Sequence, residues 1–118
     1  MEPTFEVWGE NAPPLHDASV VALRHRAGVV ELDLQLDEEH AWATLHLHFI
    51  LTGDRAPSWE RLERLLAVGV EPELMSLNLE SGVAHIGLAV EPPTSGVRWL
   101  DVRERVSTVL YRLKPAAG

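Results

Sequence analysis

The chain contains no cysteine, which excludes a disulfide framework, a thiolate metal site and a cysteine nucleophile together. Nowhere does an apolar run approach the roughly 18 residues that mark a membrane-spanning helix. Cations are scarce: 10 Lys and Arg against 18 Asp and Glu leave a net charge of −8. So acidic a chain lacks the basic footprint that general nucleic-acid or anionic-membrane binding needs. The opening Met1-Glu2-Pro3-Thr4-Phe5-Glu6 has neither the basic nor the apolar region of a signal peptide, so the expected compartment is the cytoplasm. No serine sits in a nucleophile elbow, and Gly82, Gly87 and Gly96 are too scattered to form a phosphate-binding loop.

A chain of 118 residues buries about two thirds of its extended surface on folding, enough for one core without staples. One domain over 1–118 is therefore expected, with 1–15 an extended lead-in and 114–118 a flexible tail. The charge is uneven. Residues 1–97 hold 16 acids against 5 arginines, a balance of −11, whereas residues 98–118 hold 5 cations against Asp101 and Glu104, a balance of +3.

The strongest pattern lies between Val29 and Leu51. Val30-Leu32-Leu34-Leu36 and Ala43-Leu45-Leu47-Phe49-Leu51 alternate as the two strands of a hairpin with one buried face. Pairing Leu36 with Ala41 sets Leu34 by Ala43, Leu32 by Leu45 and Val30 by Leu47 on the inner side. Before it, Val21, Leu23 and His25 alternate with Ala22, Arg24 and Arg26 up to the Ala27-Gly28 turn, which adds a third strand. Arg24, Glu31 and His46 then form a row across the meander. After Thr52-Gly53-Asp54-Arg55-Ala56-Pro57, the positions Trp59, Leu62, Leu65 and Leu66 fall at helical spacing, with Ser58 placed to cap and Gly69 to terminate. A second hairpin joins Leu74–Glu80 to Val83–Val90 around Ser81-Gly82, with Met75, Leu77 and Leu79 facing Leu88, Ile86 and Ala84. Val102, Val106, Val109, Leu110 and Leu113 make a helical stripe preceded by Asp101 and Glu104 at capping-box spacing. The expected fold is α+β: an antiparallel sheet of about five or six strands with two helices, in the order β-β-β-α-β-β-α.

The outer face of the first hairpin collects Glu31, Asp33, Gln35, Trp42, Thr44, His46 and His48, with Asp37, Glu38 and Glu39 at its tip. Two readings follow. In the first, Glu31, Asp33, Asp37, Glu38 and Glu39 steer a basic protein partner, and the outward Trp42 anchors it. The competing role for Trp42 is simple packing under the segment around Trp8. In the second, His46 and His48 stand about 7 Å apart on one strand face and take a metal with Glu31, giving a histidine-carboxylate enzyme. His16 and Asp17 are adjacent and point to opposite faces, which suits a turn better than a catalytic pair. The first reading is adopted: a protein-binding module with no catalytic residue and no cofactor, its oligomeric state open and a homodimer among the options.

Gly9 followed by Pro13-Pro14-Leu15-His16-Asp17-Ala18-Ser19-Val20 resembles the tryptophan-proline-x-phenylalanine-histidine-aspartate-alanine-glutamate-valine opening of the Imm50-like immunity proteins, small bacterial proteins found beside toxins. The likeness covers about residues 8–50. It departs from that pattern at Leu15 and Ser19, and in carrying a helix in the second half where the family reads mostly as strand. The resemblance implies a binding protein that neutralises a toxin, with no catalytic residues to carry over. Element order also resembles that of type III secretion chaperones, although Pro3, Pro13 and Pro14 exclude their N-terminal helix.

Overall fold

A computed structural model describes residues 4–9, 18–36, 43–52, 59–94 and 96–114. In chain order these form β1 (Glu6–Val7), β2 (Ala18–Arg26), β3 (Val29–Gln35), β4 (Thr44–Leu51), α1 (Glu60–Ala67), β5 (Glu73–Glu80), β6 (Val83–Thr94) and β7 (Val97–Lys114). The architecture is mostly antiparallel β, with seven strands and one helix among the described residues, which corrects the expected α+β fold with two helices.

Alternation correctly assigns the inner face of the meander. Val30, Leu32, Leu34, Leu36, Ala43, Leu45, Leu47 and Phe49 are all buried. Its register is two residues from the expected one: Leu34 faces Leu45, Leu32 faces Leu47 and Val30 faces Phe49, while the Leu36 N–H donates to the Ala43 carbonyl at 2.9 Å. A slip of two leaves every side chain on its own face, so the hydrophobic pattern does not discriminate between the two registers.

Two bulges depart from strict alternation. In β2, Arg24 faces Glu31 as expected and Leu23 faces Leu32, but a bulge between Val20 and Ala22 puts Val20 opposite Leu34. Val20 is buried and Val21 is turned out. The second hairpin has Leu77 opposite Ile86 and Leu79 opposite Ala84, again as expected, around a turn with Ser81 at φ 51° and Gly82 at φ 76°. Here a bulge between Leu74 and Ser76 gives Leu74 the place opposite Leu88, and Met75 stands exposed. An inserted residue resets the period of two, and no local residue type announces it.

The expected C-terminal helix is instead the second half of an 18-residue strand. Up to Arg105, β7 pairs with β6; from Val106 onward it pairs with β4. An irregularity where Ile50 meets Thr108 and Leu51 meets Val106 leaves Ser107 unpaired. Inward positions therefore pass from Leu100, Val102 and Val106 to Val109 and Tyr111. Residues 102, 106 and 109 are spaced as on a helix face because of that bulge, while the valines and threonine around them favour the strand. Asp101 caps nothing; it accepts a hydrogen bond from Trp99.

Because β7 reaches both β4 and β6, the sheet closes into a ring, β7-β4-β3-β2-β5-β6, with β1 added beside β7 through Glu6 opposite Tyr111. The joint between β2 and β5 is short, Ala18 opposite Leu74 and Ser19 opposite Glu73, extended by the Val20 N–H to the Pro72 carbonyl at 2.8 Å. Inside lies one apolar cluster, and among the described residues no polar or charged residue is buried. The helix contributes Leu62 and Leu65, and the preceding Trp59 sets its ring 5.0 Å from Phe49. Gly69, at φ 82°, ends α1 as expected. Ser58, the expected cap, and residues 115–118 of the expected tail lie outside the described residues.

Candidate functional site

Outward positions of β3 and β4 alternate with the core, and the observed register decides which of them meet. Asp33 faces His46, and Glu31 faces His48, so the expected row Arg24, Glu31, His46 becomes Arg24, Glu31, His48. The His46 ring holds Asp33 through Nδ1 at 2.7 Å, and since an ionised carboxylate only accepts, that nitrogen carries the proton. Arg24 donates to both oxygens of Asp33, at 3.0 and 2.9 Å. Glu31 lies 3.1 Å from His48 Nε2 and 3.6 Å from Arg26 Nε. Burial is the largest single influence on the Asp33 carboxyl and would raise it. The hydrogen bonds and charges of His46 and Arg24 together outweigh burial and hold the carboxyl below its ordinary 3.8. His48 is pushed below its ordinary 6.5, first by burial and then by Arg112 and His46, against the pull of Glu31.

Phe5 covers part of this face, its ring 4.3 Å from that of His48, and the Arg112 guanidinium lies 4.6 Å from the centre of the Phe5 ring. Each histidine thus has its own carboxylate. Among the described residues no three His, Asp or Glu side chains are grouped to hold a metal ion, and His46, His48 and Glu31 divide between two separate pairs. The other residues expected here, Trp42, Asp37, Glu38 and Glu39, lie outside the described residues, as do His16 and Asp17.

A second surface emerges on β5, β6 and the first half of β7. Strand alternation turns Trp99, Asp101, Arg103 and Arg105 outward, opposite Ala89, Gly87, His85 and Val83; on β5, Ser76 and Asn78 continue the rows of Gly87 and His85. The Trp99 indole lies across Gly87. A Cβ at that glycine would stand 2.6 Å from Trp99 Cζ2 and 2.7 Å from Ser76 Oγ. At its other end the ring donates Nε1–H to Asp101 Oδ1 at 2.8 Å. Held at both ends, Trp99 is still 48% exposed. Beside it, Ser76, His85, Gly87, Asp101 and Arg103 line a shallow hollow. Arg103 and Arg105 are exposed and make no ion pair among the described residues, unlike Arg24, Arg26 and Arg64. Sequence reading places Trp99 in packing and hides this row, because a helix from 102 onward scatters the four residues. Read as a strand, 99, 101, 103 and 105 share a face at once.

The remaining described tryptophans serve packing: Trp8 meets Tyr111 edge-on at 5.6 Å, and Trp59 is in the core. The Tyr111 hydroxyl bonds Glu6, which pushes its pKa up. Among the described residues no helix is long and apolar enough to cross a membrane. Compared with known proteins, the chain matches no family model, no curated protein and no solved structure.

Proposed function

We propose that the chain is a small cytoplasmic protein-binding module that docks through the outer face of β5, β6 and β7, and that its role is that of an immunity-like protein neutralising a partner toxin. The observation that carries the docking surface is Trp99, half exposed yet fixed on Gly87 and tied to Asp101. Tryptophan and arginine dominate binding energy at interfaces, and an anchor ordered before binding loses little entropy on contact. The apolar interior directs recognition to the outside. On the hairpin face Glu31 and Asp33 are already paired with Arg26 and Arg24, which weakens their power to steer a basic partner and favours Trp99 as the anchor. The immunity-like reading gains support from residues 73–114. They are described as strands apart from the turns and Ser95, which leaves α1 as the helix by which the second half departs from a family that reads mostly as strand.

A photo-crosslinking residue at Asn78, exposed on the same outer face opposite His85, tests the surface in the native host, with Val68, 69% exposed at the helix end, as control. The expected result is one crosslinked protein from position 78, absent from position 68 and lost on Trp99→Ala. Equal labelling from both positions, or labelling that survives Trp99→Ala, would exclude this face.

A further inference from the structure

Among the described residues, the strand that carries Trp99 has an unpaired edge. From Val97 to Arg105, β7 pairs with β6 on one side; on the other, β4 stops at Leu51 opposite Val106, and Thr52 adds a last N–H to the Arg105 carbonyl at 3.3 Å. Beyond that bond, residues 97–104 make no hydrogen bond to a described residue on the side away from β6. A row of unpaired backbone donors and acceptors is a template for another strand, and proteins usually blunt such edges by covering or bulging them. The edges that β2 and β5 leave open beyond Ser19 and Leu74 begin at bulges. From Trp99 to Arg105 the pairing with β6 is regular, and the irregularity between Ala89 and Thr94 falls at the start of the strand, before Trp99.

We infer that this edge receives an extended, acidic segment of the partner by strand addition, its carboxylates beside Arg103 and Arg105 and its apolar side chains against Trp99. The inference rests on the docking surface proposed above and adds the partner's conformation and charge. Main-chain bonds to an edge supply affinity with little sequence demand, and alternate side chains supply selectivity. Outward residues of an added strand stand directly across from Trp99, Asp101 and Arg103, with Arg105, whose carbonyl Thr52 already holds, diagonal to the last of them. Among the described residues no carboxylate pairs with Arg103 or Arg105, and opposite charges across a ladder stabilise it. Asp101 does not oppose a carboxylate at those two positions; one of its oxygens is held by the Trp99 ring. Glu73 and Glu80 lie on β5, with β6 between them and β7.

The test uses the full chain, isotope-labelled, with a blocked octapeptide that carries glutamate at two successive positions of one face and valine elsewhere, and its counterpart with lysine for glutamate, both at millimolar concentration. The glutamate peptide is expected to shift the Trp99 indole N–H and the amides of residues 97–105, and to slow hydrogen exchange of those amides that point away from β6. Its lysine counterpart should bind at least about tenfold more weakly. In the chain carrying Arg103→Glu with Arg105→Glu the preference should invert, a gain that misfolding does not produce. Preference for the lysine peptide by the unmodified chain, or indifference to charge, overturns the acidic partner while leaving the Asn78 crosslink to judge the surface. Shifts that map away from 97–105, or none, overturn the strand addition. If the same amides shift on raising the concentration of the chain alone, the edge is taken by a second copy and the inference fails.

Discussion

Replacing Gly87 by alanine probes the tryptophan shelf from beneath. The new methyl would sit 2.6 Å from Trp99 Cζ2, 3.3 Å from its Cη2 and 2.7 Å from Ser76 Oγ. The serine hydroxyl can rotate aside, whereas the indole is rigid and tied to Asp101, so the ring lifts. Trp99 is 48% exposed, and half of a side chain of ~200 Å² is ~100 Å² of covered surface. Losing all of that cover costs up to ~2.5 kcal/mol at ~25 cal/mol per Å². Against this, alanine is better than glycine in a strand interior by roughly 0.5–1 kcal/mol. The net expectation is a loss of about 1–2 kcal/mol in urea melts followed by circular dichroism, with the indole N–H resonance moving as its bond to Asp101 breaks. In a Trp99→Ala background the same glycine substitution meets no ring and should be neutral or stabilising. A double-mutant cycle therefore reads the contact directly. If Gly87→Ala costs the same with and without Trp99, the ring does not rest on the glycine and the shelf is not preorganised.

Leu34→Asp should destabilise by several kcal/mol, since Leu34 is fully buried, while Asp33→Asn on the outer face should cost about 1 kcal/mol in the same melts; similar losses would invert the assigned faces. Asp33 has a folded pKa below its ordinary 3.8, so its contribution is present above that value and lost as pH falls through the folded pKa. Acid titration should show a shallower stability loss below pH 3.8 in Asp33→Asn, and an unchanged slope there would contradict the pairing with Arg24 and His46. The folded pKa of His48 is likewise lowered, from 6.5, which makes the unfolded chain bind its proton first, so stability declines as pH drops below 6.5. His48→Gln should flatten that decline, as measured by melts at a series of pH values. Gly82, at φ 76° with no close neighbour for a Cβ, should lose about 1 kcal/mol on Gly82→Ala from backbone strain alone, and a neutral result would remove the left-handed turn.

The sequence made legible what depends on alternation and little that depends on how alternation is interrupted. Val30 through Phe49 declared their inner face because a period of two has no other reading over that length. Their register was hidden, since a slip of two keeps that face. The bulges at Val21, Met75 and Ser107 each shift the phase of a strand, and at Ser107 the shift turned a strand pattern into a helical one. That single phase change removed the second helix, closed the sheet and assembled Trp99, Asp101, Arg103 and Arg105 into a row. The histidine pair was visible from sequence as a cluster, but its division into Asp33 with His46 and Glu31 with His48 required the register.

Ring closure through β7 also bears on how the chain folds. The β3 to β4 pairs join residues close in sequence, whereas Thr44 meets Lys114 and Val83 meets Arg105, so the first of these contacts must close a loop of most of the chain. A molecule in which β7 has come away bares two strand edges at once, those of β4 and β6, each with its apolar face uncovered. Such a species pairs readily with others of its kind. Refolding yield should therefore fall with rising protein concentration more steeply for Val109→Ala, in β7, than for Val30→Ala, in β3, at matched loss of stability; parallel yields would show that the ring opens elsewhere.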